Sequence, residues 1–503
     1  MPQKTTNRKM VTIAMLVAIL LVAIDVTVVS TAMPQIVSDL SGLKLISWVF
    51  AIYTLTTSVT TPIYGKLADL YGRKKVFIFG VILFVVGSIV SGAAQTMNQL
   101  IWFRAFQGIG AGAVMPLTFT IIGDLFPGEQ RAKMQGLFSS VWGIAGLLGP
   151  LVGGFFVDHI SWRWIFYINL PIGLVSLVLI SVFFHETVEL KKDRKVDYLG
   201  AFTFTIGIST LLYALLNAGP GQKYGWNSTT IYLLFAVAII FIVLFGYIET
   251  KVKEPMLPPS LFKIPVILAS NLVGFLSSSV LIGVTVYLPM WIQTILGHSA
   301  TDSGLTLMPM SIAWPLGATF AGRYMYKIGS KITVIIGAIC IVVGSSWLLA
   351  VGLDSPYWYF VGIMVVIGFG MGYVTTPTTV LVQSAVGWQM RGAATASNTF
   401  TRSVGQTVGV AVFGTIFNNS LVTYGKEQGN GAWSGGENIS DLLSAEAFNK
   451  LPSAMVKIIQ EGLAHGMHLV FILVFIMAIA TLIMTFFLPS HKKVMEHQEQ
   501  VQH

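Results

Sequence analysis

Gly65-Lys66-Leu67-Ala68-Asp69-Leu70-Tyr71-Gly72-Arg73-Lys74-Lys75 is a short charged stretch between two apolar runs, near 46–65 and 76–95. A second stretch, Gly322-Arg323-Tyr324-Met325-Tyr326-Lys327-Ile328-Gly329-Ser330-Lys331, lies between apolar runs near 303–325 and 331–352. Aligned on the first glycine, the second glycine and the lysine two places later also coincide. A helix rises 1.5 Å per residue and the hydrocarbon core of a bilayer is about 30 Å thick, so each flanking run is long enough to cross it. Two like turns, each after the second helix of a six-helix set, predict a membrane protein made of two parallel halves. Weak internal symmetry of this kind is a transporter signature.

The rest of the chain extends the pattern. Further apolar runs lie near 11–33, 99–122, 135–157, 163–184, 199–217, 229–249, 266–292, 357–380, 395–417 and 467–488. The total predicts fourteen spans. The expected fold is all-α and integral to the membrane, with an N-terminal six-helix half (1–184), a two-helix central insert with its linkers (185–263), a C-terminal six-helix half (264–490) and a tail (491–503). Runs this long must satisfy their own backbone as helices. Composition agrees: of 503 residues, 54% are apolar and only 10% charged, less than half the share of roughly 25% usual in soluble domains. That excludes disorder, coiled coil and a secreted disulfide scaffold. Cys340, the single cysteine, reads as a small buried hydrophobe.

The net charge of +9 does not point to nucleic acid, because the basic residues fall in short loops on one side. Lys66, Arg73–Lys75, Lys191–Lys195 and Lys492–Lys493 belong to that side. The opposite loops hold only Lys44, Arg163, Lys223, Lys426, Lys450 and Lys457. By the positive-inside rule both termini are cytoplasmic and the first helix is retained rather than cleaved. One external loop, 418–466, is long. Leu442, Leu443, Ala447, Met455, Ile458 and Ile459 lie on the apolar side of a helical pattern over Ile439–Leu463. The expectation is an interfacial amphipathic hairpin on the bilayer, with a plain surface excursion as the alternative.

Five motifs in order carry a resemblance. Gly65–Lys75 resembles the cytoplasmic signature between helices 2 and 3 of the major facilitator superfamily. Leu100–Gly110, with Arg104, Gln107 and Gly108, resembles its helix-4 motif. Gly143-Ile144-Ala145-Gly146-Leu147-Leu148-Gly149-Pro150-Leu151-Val152-Gly153-Gly154 is similar to the helix-5 motif of its drug exporters. Asp25-Val26-Thr27 through Pro34 resembles the helix-1 motif of the fourteen-span drug:proton antiporters, the QacA/EmrB-like group. Trp162–Gly173, with Asn169 and Pro171, and Asp197–Gly200 are also similar to that group. The resemblance covers essentially the whole chain.

It implies a cytoplasmic gate of Gly65, Asp69, Gly72, Arg73 and Asp124, with Asp124 at the end of helix 4 contacting Arg73. The second-half copy departs from the pattern, since Tyr326 replaces the acid. It also implies that the helix-5 glycines Gly146, Gly149, Gly153 and Gly154, with Pro150, form an interface that moves during alternating access. Small residues let helices approach closely, and proline weakens one turn. Tight packing alone is the alternative.

Asp25 is the one acid deep inside a predicted span. A carboxylate there costs on the order of 3 kcal/mol or more unless it meets water or a partner. Arg104 and Arg402 are the basic residues inside spans, and neither can lose its proton. The resemblance makes helices 1 and 4 neighbours, so Asp25 and Arg104 are expected to face each other and to couple protons. Asn398, Arg402 and Gln406 form one polar stripe. Met115, Phe119, Tyr287, Trp291 and Met371, by position, are expected to line a substrate cavity with them. Adaptable methionine and aromatic surfaces suit promiscuous binding.

No P-loop is present, so direct ATP coupling is not expected. The histidines form no metal-ligand cluster. The expected function is proton-driven efflux of diverse cationic or amphipathic compounds. The proton gradient supplies the energy, with no cofactor, metal or catalytic residue. The protein is expected in the cell membrane as a monomer whose partners are small molecules and lipid. A dedicated exporter of one metabolite, lipid or antibiotic is the alternative, and a non-transporting receptor or scaffold the reading from another class.

Overall fold

The computed structural model describes residues 6–40, 45–186, 196–219, 223–298, 304–352, 355–428 and 453–489. The first half comprises α1 (Arg8–Leu40), α2 (Ile46–Tyr71), α3 (Arg73–Gly92), α4 (Met97–Leu125), α5 (Gly128–His159), a short α6 (Trp164–Tyr167) and α7 (Asn169–Phe183). A hairpin of α8 (Tyr198–Asn217) and α9 (Thr229–Lys251) follows, then α10 (Pro259–Lys263). The second half holds α11 (Pro265–Thr294), α12 (Met308–Ile328), α13 (Ser330–Leu349), α14 (Tyr357–Ser384), α15 (Trp388–Gln428) and α16 (Ser453–Thr485).

Local chemistry sets several boundaries. Thr96 caps α4, its side chain accepting from Gln99 N at 3.2 Å, and Asp197 caps α8 through Gly200 N at 2.7 Å. Such caps satisfy backbone donors that the first turn leaves unpaired. The two repeat turns share one backbone shape. Gly72 has φ 96° and ψ 147°, and Gly329 has φ 90° and ψ 144°. Side chains rarely adopt this left-handed region, which accounts for both glycines.

Among the described residues, eleven helical segments are long and apolar enough to cross a membrane. The equally long α2, α12 and α15 are not among them. These are helices through which the halves meet; buried Ser58 and Thr61 in α2 and Thr395, Ser397, Asn398 and Thr407 in α15 lower their hydropathy, and in α12 the glycines, prolines, Arg323 and Lys327 do so. Gly65 of α2 packs on α15, where an added Cβ would come within 2.4 Å of Ala396 Cβ. Gly322 of α12 packs on α5 in the matching way, 2.6 Å from Ala132 O. The repeat is thus realised as a pair of pseudo-equivalent crossings, α2 on α15 and α12 on α5. Away from the crossings α1 packs on α4, α5 and α7, while α11 packs on α14, α15 and α16.

The central hairpin lies outside both halves but straddles one seam between them. Phe204, Ile208 and Leu212 of α8 pack with Leu55 and Val59 of α2, and with Met256 and Leu257 of the linker. The Phe204 ring also packs, tilted, 5.2 Å from that of Phe400 of α15. Lys66 pairs with Glu254 at 2.9 Å, and Glu249 accepts from the backbone N–H of Met256 and Leu257. At the opposite end Trp226 Nε1 donates to Thr415 Oγ1 at 2.9 Å.

The long loop, expected to form a hairpin on the bilayer, is described only at its flanks. Residues 429–452, with Leu442, Leu443 and Ala447, lie outside the described residues. The described flanks continue α15 outward to Gln428 and start α16 at Ser453. The side chain of Met455 also lies outside the described residues, and the apolar side of 458–463 packs against α15. Ile459 and Leu463 are buried with Phe417 and Leu421, and Tyr424 Oη donates to Glu461 Oε2 at 3.1 Å.

Candidate functional site

Asp25 and Arg104, from α1 and α4, are both sealed from solvent. Arg104 Nη1 donates to Asp25 Oδ2 at 2.5 Å. The other carboxylate oxygen accepts from Gln107 Nε2 at 2.8 Å and from Asn169 Nδ2 at 3.0 Å. Asn169 also donates to Ser88 Oγ at 2.9 Å, and the Arg104 guanidinium lies 4.2 Å over the Tyr53 ring. Five helices, α1 to α4 and α7, therefore converge on one carboxylate. The network keeps unused capacity: Arg104 Nε, Asn169 Oδ1 and the Tyr53 hydroxyl have no partner among the described residues. A buried ion pair of this kind is retained at a cost. Removing one partner typically costs about 3–5 kcal/mol, because the other charge is left buried alone. Sequence reasoning paired Asp25 with Arg104 but gave no role to Gln107, Asn169, Ser88 or Tyr53. A usable signal was present for Gln107, which is one turn from Arg104 inside the same motif.

The second cluster closes the basic end of the bundle. Arg73 Nη2 donates to Asp69 Oδ1 at 2.7 Å, and Nε donates to Asp124 Oδ2 at 3.1 Å. Both acids also reach the other half. Asp69 accepts from the backbone N–H of Gly392 and Ala393 at 3.0 and 2.8 Å, in the second turn of α15. Asp124 pairs through Oδ1 with Arg391 Nη1. Arg73 in turn donates to Trp388 O at 2.7 Å and lies 3.6 Å over its ring. Glu186, which sequence reasoning passed over, caps α3 by accepting from Arg73 N at 2.7 Å. In the second copy Tyr326 stands where Asp69 does and Ser384 where Asp124 does. Arg131 Nη1 there donates to Ser384 Oγ at 3.0 Å. The repeat keeps the crossing but carries the ion pairs on one side only.

The glycines of α5 divide between two neighbours. A Cβ on Gly149 would come within 2.1 Å of Thr27 Oγ1 of α1, and one on Gly153 within 3.2 Å of Thr31 Cβ. On Gly143 and Gly146 it would meet Ser311 of α12, at 2.4 Å from its backbone O and 3.1 Å from its Oγ. Gly154 has no neighbour within 4 Å, so a close-approach role does not extend to it. Pro150 lies within α5. Thr27 Oγ1 is held near Ala145 O at 3.2 Å and cannot swing away freely. Gly149→Val should therefore destabilise the fold by about 1–3 kcal/mol through overpacking, read as a lower melting temperature in detergent. An unchanged melting temperature would remove the close-approach argument.

The expected cavity residues divide. In this conformation Tyr287, Trp291 and Met371 are buried in the hydrophobic core of the second half with Phe413, Phe417 and Phe471. Apolar side chains pack there as readily as they would line a pocket, and position in a span does not separate the two. Met115 and Phe119 are partly buried against the first-half core. Asn398 is buried and donates to Asn271 Oδ1 at 3.0 Å, whereas Arg402 and Gln406 are partly exposed. Among the described residues, no group of three metal-ligating side chains is found.

Comparison with known proteins follows the same lines. A family profile described as Major Facilitator Superfamily matches residues 15–197 and 190–410. Multidrug resistance protein 3 of Bacillus subtilis (strain 168) is 37% identical over 94% of this chain and 93% of its own length. Multidrug transporter protein MdtP of the same organism is 36% identical over 99% of this chain and 96% of its own. Among solved structures, the proton:xylose symporter XylE bound to 6-bromo-6-deoxy-D-glucose matches with a TM-score of 0.62. It is 16% identical, with 96% of each chain covered, and shares the fold.

Proposed function

The chain belongs to the major facilitator superfamily, and from that premise we propose that it exports amphipathic small molecules in exchange for protons, with Asp25 as the proton carrier. It is a multi-pass membrane transporter and not an enzyme. The observation that carries the coupling is the buried pair of Asp25 with Arg104, held by Gln107 and Asn169.

The conformation described is closed at the basic end, with Asp25 as a carboxylate accepting three donors. Asp25 is fully sealed in it. Proton entry requires α1 to shift. Protonation removes the charge that holds Arg104 and loosens α1 from α4 and α7. A neutral carboxyl also costs far less to enclose than a carboxylate. The unbonded Asn169 Oδ1 is an acceptor at hand for the new O–H. Thr27, half a turn from Asp25, carries the shift to α5 at Gly149, and α5 carries it to α12. Release of the proton on the other side restores the pair. The energy source is the proton gradient, without a cofactor.

Counting α2, α12 and α15 with the eleven apolar segments gives fourteen spans, two six-helix halves and an inserted pair. An even count with basic loops on one side puts both termini and the closed gate in the cytoplasm, and the protein in the cell membrane. Lys191→Cys and Lys492→Cys should then be labelled by an impermeant maleimide only from the cytoplasm, and Gly429→Cys only from outside. Labelling at position 492 from outside would require an odd count. The functional test is accumulation of fluorescent amphiphiles by inverted vesicles under an imposed pH gradient, over cationic, neutral and anionic dyes. No accumulation of any dye would reject proton-driven efflux.

A further inference from the structure

Arg391, Thr395, Asn398, Arg402 and Gln406 recur at three- and four-residue spacing along α15 and so share one face of it. At the base of this stripe Arg391 pairs with Asp124 of α4 across the seam between the halves. Higher up, Asn398 Nδ2 donates to Asn271 Oδ1, and Asn271 Nδ2 donates to Ser397 Oγ at 2.9 Å. These bonds fix α15 against α11. Arg402 then lies across Gly274 of α11, where an added Cβ would come within 3.0 Å of its Cγ.

The charge of Arg402 has no counterpart. Among the described residues its guanidinium makes no hydrogen bond, ion pair or ring contact, and from Pro265 to Gln406 they include no Asp or Glu. The residue as a whole is partly exposed, and its stem packs along α11. Gln406, one turn on, is also partly exposed and has no side-chain partner among the described residues. Ser278, one turn beyond Gly274 on α11, is buried with an unbonded hydroxyl. Asp25 cannot serve a cationic substrate in this conformation, since Arg104, Gln107 and Asn169 already take its oxygens.

An arginine stays protonated in proteins, and a lone cation in low dielectric is costly unless an acceptor reaches it. Among the described residues, the bundle interior thus holds Asp25 and Arg104 as a neutralised pair and Arg402 as a positive charge without a counterpart. Such a field draws anions in and turns cations away. We infer that the transported compounds are amphipathic organic anions whose carboxylate or sulfonate head pairs with Arg402. Gln406 and Ser278 supply further donors. A planar guanidinium fits such heads with two parallel bonds. This inference rests on the transport reading and narrows its substrate class. It replaces the cationic preference expected from the sequence.

Three probes sharing a dansyl body separate the charge classes: dansyl-leucine (anion), dansyl-leucinamide (neutral) and dansylcadaverine (cation). Equilibrium binding to the purified full-length protein, without a gradient, is read by dansyl fluorescence. The wild type should prefer dansyl-leucine over the amide by about tenfold or more, and dansylcadaverine should bind weakest. In Arg402→Gln the preference should fall below about twofold. Arg402→Lys, which keeps the charge but loses the fork, should retain about threefold and guards against a folding defect in the glutamine variant. Equal or tighter binding of dansylcadaverine by the wild type overturns the inference. So does an undiminished preference in Arg402→Gln, or no saturable binding of dansyl-leucine. If the wild type binds dansyl-leucine with this dependence but vesicles do not move it under a pH gradient, the anion site stands and the proton-driven reading fails.

Discussion

Asp25→Asn should abolish pH-gradient-driven accumulation in inverted vesicles, by about 100-fold or to background, while membrane insertion and expression persist. The substitution keeps the shape of the side chain and fixes it in a neutral form. It imitates the protonated intermediate that the wild type must visit, so the fold has to tolerate it. Arg104 loses its counter-charge but keeps the Tyr53 ring at 4.2 Å and Gln107 Oε1 at 2.8 Å. What is lost is the alternation between charged and neutral forms, a difference on the order of 3 kcal/mol for one partner of a buried pair. Arg104→Lys keeps charge without the planar fork and should fall between wild type and Asp25→Asn. Vesicles of Asp25→Asn that still concentrate a dye against its gradient, with pH as the sole driving force, would show that Asp25 is not the essential carrier. Suspicion would then move to Asp69 and Asp124.

Asp124→Ala should open the gate. This one carboxylate binds Arg73 of its own half and Arg391 of the other, and both arginines are largely buried. Without it Arg391 has no carboxylate partner among the described residues, and Arg73 keeps only Asp69. The lost stabilisation of the closed form, about 3 kcal/mol, corresponds to a roughly 100-fold shift in the conformational equilibrium. Transport should fall at least about tenfold, because a carrier that cannot close one side cannot alternate. A cysteine at Thr395, buried behind the gate, should gain reactivity toward a thiol reagent applied from the basic end. Asp124→Glu should recover part of both effects. Unchanged labelling at position 395 in Asp124→Ala would remove the gate role from this acid.

Much of the fold was legible because its signals are local. Long apolar runs, two like turns and a one-sided distribution of lysine and arginine depend on neighbours in sequence, and α2 to α5 begin or end within a few residues of the expected runs. Hydropathy marked eleven segments clearly and α2, α12 and α15 weakly, for a physical reason. Helices that meet at the seam carry polar side chains, glycines and prolines where helices facing lipid carry large apolar ones, so they look less like membrane spans. The charged site residues were also legible. A deep acid or arginine is costly and therefore rare in a span, so Asp25, Arg104 and Arg402 stand out in the sequence.

The sequence alone therefore determined that this is a helical membrane transporter with two repeated halves, and which of its charges lie deep. Tertiary structure decided who meets whom. Asn169 reaches Asp25 from α7, Arg391 reaches Asp124 from the other half, and the inserted hairpin straddles α2 and α15. It also placed Tyr287, Trp291 and Met371 in the core and left Arg402 without a partner among the described residues. In water, polarity distinguishes the outer face of a helix from its inner one. In lipid both faces are apolar, so the pattern that locates a helix carries little record of its orientation. Only packing of small residues and pairing of charges across helices fix that orientation, and both are properties of the assembled bundle.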